Sequence, residues 1–149
     1  MKFTRLIAMM TAAAAIMGPA RADAEDIALS LVNPKGRVDI PVGAVQQIEA
    51  GATFAYRIQG TDEVHEVPSP HIDVCFAKDI SERICELTER IVREPLAIVI
   101  DCNVVSKPIV QEPLCNNRCF QISASDIAEA NALVQRIRKG TNWACAPSS

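Results

Sequence analysis

Six cysteines, Cys75, Cys85, Cys102, Cys115, Cys119 and Cys145, lie behind what reads as an export leader in this 149-residue chain. Met1-Lys2-Phe3-Thr4-Arg5 is charged, residues 6–17 are almost wholly apolar, Gly18-Pro19 breaks the run, and Ala20-Arg21-Ala22 offers a small-x-small cleavage site. That order marks residues 1–22 as a secretory signal peptide. The apolar run is too short for a spanning helix, which takes roughly 20 residues. Export delivers the rest of the chain to an oxidising compartment, where an even number of cysteines reads as disulfides. The expectation is a periplasmic or secreted protein, not membrane-spanning after signal cleavage, in which all six cysteines are structural.

Composition narrows the function further. The net charge is -3, so the chain lacks the basic excess that neutralises nucleic-acid phosphates. Aromatic residues are only 4%, too few for base-stacking platforms. All four methionines, Met1, Met9, Met10 and Met17, leave with the leader, so the mature chain has no methionine-rich copper site. No C-x-x-C redox motif is present, and Cys115-Asn116-Asn117-Arg118-Cys119 has no histidine nearby to complete a metal site. His65 and His71 lie six apart in a proline-containing stretch, whereas zinc needs three or four convergent ligands. Asp101 sits at a turn and Glu112 precedes Pro113, a poor pairing for acid–base work. Ser106 and Ser123 lack a nucleophile context such as G-x-S-x-G. The reading is therefore no catalytic residue, no cofactor, no metal and no enzyme. Trp143, beside Cys145, reads as packing over the helices.

Along the chain, residues 27–32 form an apolar strand, Asn33-Pro34-Lys35-Gly36 a turn, and residues 37–42 a return strand that Pro41 confines to an edge. Residues 45–50 suggest a short helical turn. Phe54, Tyr56 and Ile58 alternate with Ala55, Arg57 and Gln59 as a strand does. These make residues 23–60 a β-rich segment, and the charged, proline-bearing residues 61–70 a linker or loop. Residues 71–149 read as an α+β domain of order β-α-β-β-β-α. Ile72, Val74 and Phe76 alternate as a strand. Ile80, Ile84, Leu87 and Ile91 form one helical stripe over 79–93, opened by Asp79 and Glu82 as a capping box. Residues 96–100 are a buried strand, 104–110 its return, and 120–122 a short strand after a reversal at Asn116-Asn117, where asparagine tolerates positive φ. Ser125 caps a last helix over 126–139, with Ile127, Ala130, Val134 and Ile137 inward and Gly140 at its end. The predicted fold is an antiparallel sheet with both helices packed on one face.

Leu87-Thr88, the run Leu96-Ala97-Ile98-Val99-Ile100-Asp101 and the run from Val105-Ser106 through Lys107-Pro108 to Glu112-Pro113-Leu114 form a recognisable set. With Glu129-Ala130-Asn131-Ala132-Leu133, they resemble the head subdomain of the first periplasmic domain of SecD/SecDF, a membrane subunit of bacterial protein export. The resemblance covers about residues 72–140. It departs from the family at Cys102, in place of the D-G turn glycine, and at Asn116-Asn117, in place of a Gly-Gly reversal. The cysteines are additions to the pattern. The resemblance implies contact with an emerging polypeptide and assigns no catalytic residue. Without the family's membrane helices, only that contacting role carries over.

The implied topology orders the cysteines among 15 pairings. It places Cys115 and Cys119 at one reversal, Cys75 near Cys102 at the opposite end, and Cys85 under a tail carrying Cys145. The expected bridges are Cys115–Cys119, Cys75–Cys102 and Cys85–Cys145, with Cys75–Cys85 as the rival. The function expected is an exported non-enzymatic binding module for a polypeptide or an envelope or export protein partner. The alternative is a secreted, disulfide-stabilised interaction or inhibitor protein on the same scaffold.

Overall fold

A computed structural model describes residues 25–141, so the leader, Trp143 and Cys145 lie outside the described residues. The chain opens with the hairpin β1 (Ile27–Asn33) and β2 (Gly36–Pro41). Asn33 builds its turn: Oδ1 accepts from Lys35 N at 2.8 Å, while Nδ2 donates to Pro95 O at 2.8 Å. β2 is an edge strand, as a strand ending in proline should be.

A 3-10 turn at Val42–Ala44 leads into β3 (Val45–Arg57), which pairs antiparallel with β4 (Val64–Phe76). Two local expectations fail here. Residues 45–50 are strand rather than helical turn, because Val45, Ile48 and Ala50 pack against the core while their backbone pairs with β4. Residues 64–70 are strand rather than loop. The bond from Ile58 N to Glu63 O makes 58/63, 56/65 and 54/67 the hydrogen-bonded pairs, so Pro68, opposite Thr53, turns its missing N–H away from β3. The prolines and charges of this stretch suit an exposed strand as well as they suit a loop.

α1 (Lys78–Arg90), β5 (Ala97–Ile100), β6 (Asn103–Ser106), β7 (Cys119–Ser123) and α2 (Ile127–Lys139) follow. α1 starts one residue before Asp79, at an N-cap Ala77 without a side-chain cap. Asp79 thus lies inside the first turn, where a carboxylate favours the helix dipole but cannot form a capping box. α2 is capped by Asp126 rather than Ser125: Asp126 Oδ1 accepts from Glu129 N at 2.7 Å, and Glu129 Oε2 accepts from Ser125 N at 2.6 Å. Gly140 closes α2 with φ +69°, a left-handed conformation that glycine adopts without a Cβ penalty.

The α+β class holds, with every strand pair antiparallel. The strands divide into two sheets, β2-β1-β5-β6 and β3-β4-β7, instead of the single sheet expected. β1, not β4, lies beside β5. Ala28, Leu29, Ser30 and Leu31 are all buried, so β1 is covered on both faces and belongs in the middle of a sheet. One hydrophobic core joins both sheets to both helices, and α2 touches strands of each sheet. Ile84, Leu87, Ile91, Ile98, Ile100, Val134 and Ile137 are all buried in it, as their periodicity requires.

Candidate functional site

Between β6 and β7 the chain makes no regular structure, yet it is closely held. β5 and β6 turn through Asp101 and Cys102 at φ +49° and +62°, the signs of a type I′ hairpin turn. Asp101 is thus a turn residue, its carbonyl accepting from Asn103 Nδ2 at 2.7 Å. β6 stops at Ser106, four residues before the expected end of the return strand, because Lys107-Pro108 leaves the ladder. Residues 108–114 then form a strap. Leu96 N donates to Pro108 O at 2.9 Å, Arg93 N to Val110 O at 2.7 Å, and Val110 N to Glu94 O at 3.0 Å. At its far end Leu114 N donates to Thr88 Oγ1 at 2.9 Å.

The disulfides continue this anchoring and correct the expected pairing. Cys115 is bonded to Cys85 of α1, and Cys119 to Cys75 of β4. The C-x3-C run is therefore no local staple; its two ends tie the chain to two different elements. Cys75 and Cys119 are directly opposed in the β4–β7 register. Bonds from Phe76 N to Arg118 O and from Ala124 N to Pro70 O make this opposition a non-hydrogen-bonded pair, the closer type, with Cα atoms 3.9 Å apart. Cys75 is thus unavailable to Cys102 or Cys85, and Cys85 unavailable to Cys145. Cys102 is also disulfide-bonded. A single sheet would bring Cys75 and Cys102 to the same end; the two sheets instead carry Cys75 on β4 and Cys102 at the β5–β6 turn. Asn116 and Asn117 are not among the positive-φ residues, so the reversal does not use the left-handed geometry expected there.

Under the strap lies an apolar cavity of about 340 Å³. Leu29, Leu31 and Ile98 line it from one sheet, Val74, Phe76, Phe120 and Ile122 from the other, and Val110 and Leu114 from the strap. Gln111, Glu112 and Gln121 supply its polar lining. Phe120 also leans on Phe76, with ring centroids 5.6 Å apart. For scale, a cavity of about 150 Å³ holds benzene.

One wall of this cavity is an open sheet edge. β7 is the last strand of its sheet. Its even-numbered residues face β4, so the amides and carbonyls of Cys119, Gln121 and Ser123 point away from the sheet. Among the described residues these three make no backbone hydrogen bond outside the β4–β7 ladder.

The other residues singled out by sequence stand apart from this site. His65 is exposed, stacked on Tyr56 at 5.8 Å and 3.4 Å from Glu63 Oε2. His71 is buried, its Nδ1 bonded to Ser69 O and its Nε2 3.3 Å from Asp73 Oδ2. Cys85, Glu89 and Cys115 converge as metal ligands do, but the two sulfurs are joined to each other in one disulfide. Glu112, an unremarkable pre-proline residue in sequence, belongs to the cavity lining. Thr88, one of the residues that carry the resemblance, is fully buried, as its place four residues after Ile84 on the apolar stripe allows.

The chain matches the family model described as SecDF, P1 head subdomain, over residues 48–141. The match begins within β3, upstream of the stretch where the resemblance was first visible. Two solved structures are similar: SecDF described as a membrane component that enhances protein export, and SecDF in a Super-membrane-facing form. The first aligns at 19% identity and TM-score 0.48, covering 75% of this chain and 46% of that one. The second aligns at 19% identity and TM-score 0.47, covering 75% and 14%. The chain thus spans less than half the length of either. No curated protein matches. No helix among the described residues is long and apolar enough to cross a membrane, and the paired cysteines fit an extracytoplasmic location.

Proposed function

This chain belongs to the SecDF P1 head subdomain family, and from that premise we propose that it is an exported, non-enzymatic module that receives extended polypeptide segments along β7. The observation that carries the reading is the adjacency of the free β7 edge and the apolar cavity, which share Phe120, Gln121 and Ile122. A segment added to that edge would satisfy the outward amides and carbonyls of β7. Its alternate side chains would fall on the face of Phe120 and Ile122, toward the cavity. Main-chain bonds of this kind tolerate many sequences, which suits a module meeting unfolded chains. Read as a secretory signal, the leader supports a periplasmic or secreted location.

The test exploits the direction of one amide. Gln121 N–H faces away from β4, so Gln121→Pro removes an edge donor without breaking the ladder. Fluorescence anisotropy with a labelled, permanently unfolded polypeptide should give saturable binding to the parent. The variant, with unchanged circular dichroism, should lose most of it. Undiminished binding by a folded Gln121→Pro protein would reject the edge.

A second reading, a secreted interaction or inhibitor protein, is favoured by the outer half of the β3–β4 ribbon. Phe54 and Tyr56 stand across from Val67 and His65 on one face, and Phe54 is 49% exposed. A pull-down from periplasm or culture medium separates the two readings. Loss of a single folded partner in Phe54→Ser/Tyr56→Ser, with the polypeptide binding intact, would favour the second.

A further inference from the structure

The cavity lining carries one charge. Among the described residues that line it, Glu112 alone is ionisable. It makes no ion pair and no side-chain hydrogen bond among the described residues. Glu94, Asp39 and Glu82 each have a cation beside them, namely Lys35, Arg37 and Lys78.

The position of Glu112 is fixed although its side chain is free. Two residues before it, Val110 is bonded through both its N–H and its carbonyl to the stretch after α1. Two residues after it, Leu114 is held by Thr88, and Cys115 by Cys85. Pro113 restricts the backbone of Glu112 itself. Glu112 is therefore a residue of the cavity lining carried on a strap tied at both ends. Its polar neighbours in the lining, Gln111 and Gln121, are neutral.

We infer that Glu112 makes this site selective for extended segments that carry a lysine or arginine beside the large apolar side chains entering the cavity. The inference rests on the strand-addition reading above and adds to it the class of segment received. An incoming cation would meet an uncommitted carboxylate, with no existing ion pair to break. An incoming carboxylate would meet repulsion from Glu112 and from a net-negative protein. The gain is that of a partly exposed pair, so the preference is severalfold and falls with salt.

Three fluorescein-labelled peptides test it, each with two leucines separated by one threonine and flanked by lysines, glutamines or glutamates. Anisotropy titration of the full chain at low ionic strength should rank them lysine, glutamine, glutamate, with about twofold to fivefold between the first two. Glu112→Gln should bring lysine- and glutamine-flanked peptides to equal affinity. Glu82→Gln, which changes net charge by the same amount, should preserve the ranking. A lysine preference that survives in Glu112→Gln, or that Glu82→Gln removes equally, overturns the inference. Equal binding of all three peptides by the parent also overturns it while leaving strand addition standing. No binding of any peptide brings down the strand-addition reading itself.

Discussion

Thr88 Oγ1 accepts from Leu114 N at 2.9 Å while donating to Ile84 O at 2.8 Å. One fully buried hydroxyl thus bonds back to the helix and fastens the strap across 26 residues of sequence. Thr88→Val keeps the shape and removes every bond of the hydroxyl, leaving Leu114 N–H without its acceptor. The expected loss is about 1–3 kcal/mol by denaturant unfolding. Thr88→Ser, which keeps the oxygen, should retain most of the stability. Amide exchange at residues 110–114 should quicken in the valine variant; unchanged exchange there would show that the strap is held without Thr88.

The two described disulfides predict separable effects. Non-reducing peptide mapping should join Cys75 to Cys119 and Cys85 to Cys115; a Cys115–Cys119 peptide would contradict this geometry. Removing either bridge by paired alanine substitution should cost about 2–4 kcal/mol. The Cys85→Ala/Cys115→Ala protein should in addition be cut sooner within residues 108–118 under limited proteolysis. The Cys75→Ala/Cys119→Ala protein keeps the bond from Leu114 to Thr88 and the bridge from Cys115 to Cys85, so its residues 108–114 should resist as the parent does.

Periodicity made the helices and core legible. Ile84, Leu87 and Ile91 on one stripe, and Ala130, Val134 and Ile137 on the other, can be read from spacing alone because each helix buries one face, whereas Ile127, expected inward, is exposed at the first residue of α2. Strand neighbours are set by long-range contacts that local pattern does not encode. Nothing in residues 27–32 announces Ile98 as the partner of Leu31, and without that pairing local pattern sets Cys75 beside Cys102. The ribbon was missed for another reason. Pro68 and Glu66 argue against a strand only if its outer edge must bond, and here it faces solvent. The site was the least legible, since the cavity joins both sheets to a strap that has no periodicity. Its motif residues, Glu112-Pro113-Leu114, were visible, but their relation to β7 was not.

Gly51 faces His71 across the β3–β4 pair, just before a register shift. A Cβ built on Gly51 would lie 2.4 Å from His71 Nε2 and 2.5 Å from Cε1. The ring cannot swing aside freely, being buried and held by Ser69 O and Asp73. Gly51→Ala should therefore destabilise by about 1–3 kcal/mol, the usual cost of overpacking. His71→Ala removes the obstructing ring, so adding it to Gly51→Ala should cost less than it does in the parent. A strictly additive double mutant, measured by denaturant unfolding, would mean that the clash is relieved elsewhere.

Two surface carboxylates tie stability to acidic pH. Glu129 is held below the ordinary value of 4.5, first by its hydrogen bonds from Ser125 and further by the charge of Arg136. Glu94 is lowered chiefly by its hydrogen bond from Lys35, then by Asn33 and the Lys35 charge, against some desolvation. In each case the folded protein binds its proton more weakly than the unfolded chain does. Their contribution is therefore complete above pH 4.5 and is lost as pH falls through the depressed folded-state values. Thermal unfolding should show Tm falling as the pH drops below 4.5. Glu94→Gln/Glu129→Gln should have a lower Tm at neutral pH and a shallower fall in acid, so that the two curves converge. Glu129 is exposed and Glu94 only half-buried, so the difference should be small. Parallel curves, with the same acid slope in the double variant as in the parent, would show that other carboxylates carry the acid sensitivity.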